Sequence, residues 1–117
     1  MSTTSYGPHD VVLLPIPFPD LTSSKVRPAI VVGRLSPYND LIVLPVTSRL
    51  SLLPTEYRLK NWSQCGLNVP SAIKPQLATV ASNQVMRKIG SLSEDDRAMV
   101  SSLLGSWLGE AIQTGKS

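Results

Sequence analysis

Lys25 and Arg27 stand just ahead of one apolar run, Pro28–Gly33 (PAIVVG), while Thr47, Ser48 and Arg49 stand just behind the next, Leu41–Val46 (LIVLPV). Cations and hydroxyls gathered at the ends of neighbouring runs are the means by which a protein holds an oxyanion. An arginine fork donates two parallel hydrogen bonds to a phosphate, and a hydroxyl adds a third donor. Pro28 presses Arg27 out of the helical region into extended backbone. If the two runs are adjoining antiparallel strands, as consecutive strands commonly are, Arg27 and Thr47 meet. Read from the residues alone, each also has a plainer role: Arg27 in a carboxylate pair, Thr47 closing a turn, and Lys25, Arg49 and Lys74 as solvated surface.

Most other chemistry is excluded by composition. His9 is the one histidine and Cys65 the one cysteine, so neither a zinc set nor a two-histidine ribonuclease mechanism can be assembled. No glycine-rich phosphate loop is present, and no metal or cofactor is expected. Cys65 cannot pair within the chain and reads as a structural thiol in a reducing compartment. No secretory pattern opens the sequence and no apolar run is long enough to span a bilayer, so the expected location is the cytoplasm. The net charge of +3 is uneven: residues 1–92 carry nine Lys/Arg against four Asp/Glu, a balance of +5, and residues 93–117 carry two against four. The basic part is where a polyanion would dock.

What must position these groups is a small, mainly β domain. At 117 residues, with 42% hydrophobic and 16% charged side chains, the chain is one globular domain, 1–117. Ten prolines and seven glycines punctuate short β-branched runs, as strands joined by turns require. Asp10–Ile16, Pro28–Gly33 and Leu41–Val46 read as buried strands, Thr55–Leu59 as an alternating strand, and Ala72–Val80 as another. Five or so strands in this length point to a small barrel. Residues 1–9 read as a flexible leader. Pro17–Arg27 (PFPDLTSSKVR) is longer than a tight hairpin needs, and its entry through Pro15, Pro17 and Pro19 reads as a rigid one. From Ser93 the period changes: Met99, Leu103, Leu104, Trp107, Leu108, Ala111 and Ile112 recur at helical spacing. The expected helix is 93–113, with Ser93 as its cap and Glu94, Asp95 and Asp96 at its positive end.

Read together, five blocks resemble the PemK/MazF toxins: Asp10-Val-Val-Leu-Leu-Pro-Ile-Pro-Phe-Pro-Asp-Leu, Lys25-Val-Arg-Pro-Ala-Ile-Val-Val, Val43-Leu-Pro-Val-Thr-Ser, Gly66-Leu-Asn-Val-Pro-Ser-Ala-Ile-Lys and Ile89-Gly-Ser-Leu-Ser. They occur in order over most of the chain. The resemblance implies an SH3-like small barrel with a C-terminal helix, the CcdB/Kid/MazF-type plasmid maintenance toxin fold. It implies a homodimer and a metal-independent, sequence-selective endoribonuclease cutting single-stranded RNA, with messenger RNA the expected target, through attack by the 2′-hydroxyl. A cognate antitoxin would neutralise it. The resemblance places the catalytic arginine on Arg27 and the catalytic hydroxyl on Thr47. Many members carry a glutamate before that arginine, where this chain reads Asp20-Leu-Thr-Ser-Ser-Lys25, with no glutamate.

On that reading Arg27 stabilises the charge that builds during phosphoryl transfer and Thr47 positions the phosphate. Lys25, Ser48, Arg49 and Lys74 contact backbone phosphates, which confers salt-dependent affinity with little sequence choice. Phe18 offers a stacking surface for a splayed base, or packs in the fold. Two alternatives remain: a toxin of the same fold that poisons DNA gyrase without catalysis, for which the terminal Trp-Gly-Ile ending is missing, and an SH3-like binding module.

Overall fold

The computed structural model describes residues 6–17, 24–35, 40–50 and 56–114, and in it the three apolar runs become the three longest strands. These are β1 (Asp10–Pro17), β2 (Ser24–Leu35) and β3 (Asp40–Thr47), paired antiparallel so that Val11 faces Ile30 and Ile30 faces Leu44. Alternate residues leave for opposite faces of a strand. Here both faces are covered: Val11, Ile30, Leu44 and Val46 join one apolar cluster, and Val12, Leu14, Ala29, Val31 and Val43 join a second. That double coverage is why the runs read as unbroken apolar stretches. Each fully buried aliphatic side chain contributes about 1.5–3 kcal/mol by leaving water.

Shorter elements complete the sheet. β4 is Tyr57–Arg58, β5 Ala72–Ile73, β6 Ala78–Ala81 and β7 Arg87–Ser91. The order is β4-β5-β3-β2-β1-β7, with β6 also pairing β3. Among the described residues β4 and β7 do not pair, so the barrel expected from the sequence stays open. The strand expected over Ala72–Val80 is two strands, because Pro75 has no N–H to continue a ladder. β1 and β2 reach into the segment expected as a loop: Pro17 faces Ser24 and Ile16 faces Lys25.

Residues 6–9 are not a loose leader. Tyr6 is buried in the second cluster, the His9 N–H donates to the Val31 carbonyl at 2.7 Å, and the Leu92 N–H donates to the His9 carbonyl at 3.0 Å. These two bonds hold His9 at a left-handed φ of 74°, which a non-glycine residue adopts only under such constraint. Burial, and then the charge of Arg97, push its imidazole pKa down, partly opposed by Asp10.

The helix α1 (Glu94–Thr114) follows Ser93, whose Oγ accepts the Asp96 N–H at 3.2 Å as an N-cap should. Its docked stripe is Asp96, Val100, Leu104 and Trp107, whereas Met99, expected on the apolar face, is exposed. Among the described residues, no helix is long and apolar enough to cross a membrane.

Asp96 is the buried polar centre of this junction. Its carboxylate accepts the Tyr57 hydroxyl at 2.6 Å and the Lys60 and Asn61 N–H groups at 2.9 Å each. Burial pushes its pKa up, but the hydrogen bonds from Tyr57, Lys60, Asn61 and Ser93 outweigh burial and leave it below the ordinary aspartate value. The Tyr57 phenol moves the other way, raised by burial and by its bond to Asp96. Through Asn61 the start of α1 thereby fixes the 3₁₀ turn Trp62–Cys65, and with it the segment that follows.

Candidate active site

Arg27 and Thr47 lie on adjoining antiparallel strands. The β2–β3 ladder pairs Val31 with Val43, Ile30 with Leu44 and Ala29 with Pro45. The ladder ends there, and only its extrapolation by two residues would bring Arg27 level with Thr47, which pairs instead with β5. Side-chain alternation sets both on the face that also carries Ala29, Val31 and Val43.

Each has a defined local environment. Arg27 is half-buried, its Nε shut off from solvent, and it faces Leu14 of β1 across the ladder. Thr47 is 7% exposed, pairs with Ala72 of β5, and accepts the Arg49 N–H on its Oγ at 3.1 Å. The turn-closing role open to this threonine is therefore real. It occupies one lone pair and leaves the hydroxyl hydrogen available for donation.

A cleft of about 330 Å³ opens at the same strand ends. The sheet contributes Leu13, Val26, Pro28 and Val46, and the segment after the 3₁₀ turn contributes Gly66, Leu67, Asn68 and Val69. Arg27, Ser48 and Arg87 supply its strongest polar groups, and no aspartate or glutamate lines it. Gly66 is required here: its φ is 92°, and a Cβ would lie 2.1 Å from the Ile89 carbonyl oxygen. Gly90 is required for the reciprocal reason, since its Cβ would meet the Cys65 carbonyl oxygen at 2.3 Å. Backbone therefore packs directly on backbone. The Cys65 thiol donates to the Trp62 carbonyl at 3.2 Å, and its pKa is raised by burial and then by Asp96, as befits an inert structural thiol.

The remaining residues singled out from the sequence scatter. Ser48 is exposed and lines the cleft; Arg49 is exposed, and Lys74 half-buried, outside its lining. The backbone of Lys74 donates to the Pro45 carbonyl at 2.9 Å. Lys25 sits in β2 two residues before Arg27, and Phe18 and Asp20 lie outside the described residues. Asn68 and Arg87 line the cleft without having been singled out beforehand. The glycine at 66 was the available signal for Asn68; Arg87 carried none beyond its charge. Among the described residues, no three His, Cys, Asp or Glu side chains gather as a metal site would need.

Residues 8–108 match the family of PemK-like, MazF-like toxins of type II toxin–antitoxin systems. The chain belongs to that family. Solved relatives of this toxin share its fold. The Mycobacterium tuberculosis toxin MazF-mt6 is 22% identical, with a TM-score of 0.64 over 84% of this chain and 96% of that one. A chain of the MazE–MazF structure from Deinococcus radiodurans is 21% identical, with a TM-score of 0.71 over 92% and 98%. A mycobacterial endoribonuclease in complex with its cognate antitoxin is 12% identical, with a TM-score of 0.72 over 90% and 96%. At these identities the likeness speaks for architecture alone. No curated protein matches this sequence.

Proposed function

We propose that this toxin is an endoribonuclease that cuts single-stranded RNA without a metal ion, using Arg27 and Thr47. The observation that supports the reading is the antiparallel β2–β3 pairing up to Ala29 and Pro45, whose continuation by two residues would set Arg27 level with Thr47. Membership of a toxin family, and relatives described as an endoribonuclease and as antitoxin complexes, support it. In the reaction the 2′-oxygen loses its proton and bonds to the adjacent phosphorus as the P–O5′ bond breaks. The departing O5′ takes up a proton, leaving a 2′,3′-cyclic phosphate and a 5′-hydroxyl. Negative charge grows on the phosphoryl oxygens, where the Arg27 fork and the Thr47 hydroxyl would donate. Arginine is a poor proton donor because its pKa is so high, so its part is electrostatic. Messenger RNA is the expected target, the cytoplasm the expected location, and a homodimer the expected assembly. The partner antitoxin would mask the basic surface with an acidic extended segment.

The test is incubation of the purified protein with a defined single-stranded RNA in excess EDTA, followed by mapping of the ends. Cyclic phosphate at discrete positions is the expected result. Intact RNA together with inhibited DNA gyrase would replace the nuclease with the poison of the same fold.

A further inference from the structure

Thr47 is held by more than its own strand. Its cross-strand partner is Ala72 of β5, and Ala72 pairs in turn with Arg58 of β4, so Thr47, Ala72 and Arg58 form one row across the sheet. Both β4 and β5 are two residues long, and among the described residues β4 pairs with β5 alone. Strands this short supply too few ladder bonds to keep their register unaided. The row needs an anchor outside the sheet.

Asp96 of α1 is that anchor. Its carboxylate grips the chain on both sides of Arg58: Oδ1 accepts the Tyr57 hydroxyl at 2.6 Å and the Lys60 N–H at 2.9 Å, and Oδ2 accepts the Asn61 N–H at 2.9 Å. The Ser93 hydroxyl donates to Oδ2 at 3.3 Å and accepts the Asn61 carboxamide at 2.9 Å. Asp96 is 0% exposed, and a buried charge is tolerated where hydrogen bonds meet it on all sides. The helix start is already capped by Ser93, so the buried carboxylate serves β4 and the turn after it. On the far side of this loop the Leu59 N–H donates to the Ser71 carbonyl at 3.0 Å, beside Ala72. Asp96 therefore reaches the strand end of Thr47 in two paired steps, β4 to β5 and β5 to β3.

We infer that Asp96 is a positioning residue for the cleavage step, a buried carboxylate that sets the row of Arg58, Ala72 and Thr47 and so aims the Thr47 hydroxyl at the phosphate. The inference rests on the RNA-cleaving reading, in which Thr47 donates to that phosphate. Asp96 touches no reacting atom, and its effect on the rate passes through Thr47. A displaced donor loses its contact with developing charge, whereas capture of RNA by exposed cations is unaltered.

The experiment is a double-mutant cycle in single-turnover cleavage of a defined RNA, at a temperature where circular dichroism shows every variant folded. Asp96→Asn should lower the rate at saturating RNA roughly tenfold to a hundredfold and leave the half-saturating RNA concentration unchanged. In a Thr47→Ala background the same substitution should have no further effect. Tyr57→Phe removes one bond and keeps the buried charge, so it should show the same pattern at smaller amplitude, and it decides the matter if Asp96→Asn does not fold. Val100→Ala is the control: this buried side chain helps to dock the same helix but takes no part in the hydrogen bonds, so the melting temperature should fall and the rate should hold. Equal falls in the wild-type and Thr47→Ala backgrounds overturn the inference, as does an unchanged rate or a rate lost equally in Val100→Ala. RNA that wild-type protein leaves uncut overturns the nuclease reading and the inference with it.

Discussion

Arg27 and Thr47 differ in what their loss should reveal. Replacing Arg27 with lysine keeps the charge but exchanges a planar fork for a point, so one of two parallel bonds to phosphate disappears. Thr47→Ala removes a donor aimed at developing charge, which costs roughly a hundredfold in turnover, and also strips the Arg49 N–H of its acceptor, which costs about 1 kcal/mol of stability. The two effects separate experimentally. Single-turnover cleavage should fall about a hundredfold in both variants, and the melting temperature should fall for Thr47→Ala. Thr47→Ser should restore the melting temperature and most of the activity. Full activity in Arg27→Lys or Thr47→Ala would remove that residue from the mechanism. This candidate pair could be proposed from the sequence because the relevant facts are local: Pro28 fixes the backbone of Arg27, and the two apolar runs are consecutive. For Asn68 the sequence offered only Gly66 as a hint, since its placement in the cleft lining depends on Gly66 meeting Ile89, a contact between distant parts of the chain.

Among the elements, β1, β2 and β3 declared themselves through unbroken β-branched runs, as strands buried on both faces do. β7 did not: Arg87, Lys88 and Gly90 in five residues look like surface, and only pairing with β1 makes a strand of them. The helix start was visible through Ser93 and its acidic successors, but not the inward turn of Asp96. That carboxylate ties α1 to β4 and to the turn that carries the cleft wall, and its pKa is lowered on folding. The folded state therefore binds fewer protons than the unfolded chain between the lowered value and the ordinary one. Stability from this group is complete above the ordinary aspartate pKa of 3.8 and is lost as the pH falls through the lowered value. Asp96→Asn should cost about 2 kcal/mol or more at neutral pH, because the amide turns a donor towards groups that are themselves donors. It should also flatten the acid limb of a stability–pH curve below about pH 4, where ionised Asp96 would have titrated. A variant whose acid limb matches wild type would show that other carboxylates control acid unfolding.

At the scale of the whole molecule, charge and site recognition should separate as two kinds of energy. The basic balance of residues 1–92 acts on any polyanion, and each neutralised phosphate of a single strand steepens the log affinity against log salt by about 0.7. Lys74 lies outside the cleft, so Lys74→Ala should weaken binding evenly across RNA sequences and reduce that slope by about 0.7, leaving the preferred cut positions unchanged. Binding would be measured with catalytically impaired Thr47→Ala protein, by fluorescence anisotropy across a salt series. Were Lys74→Ala instead to change which positions are cut, the basic surface would be reading sequence, and the division between backbone capture and base choice would fail. Were it to leave the slope untouched, Lys74 would be ordinary solvated surface. The polyanion would then have to track along Arg49 and Arg87.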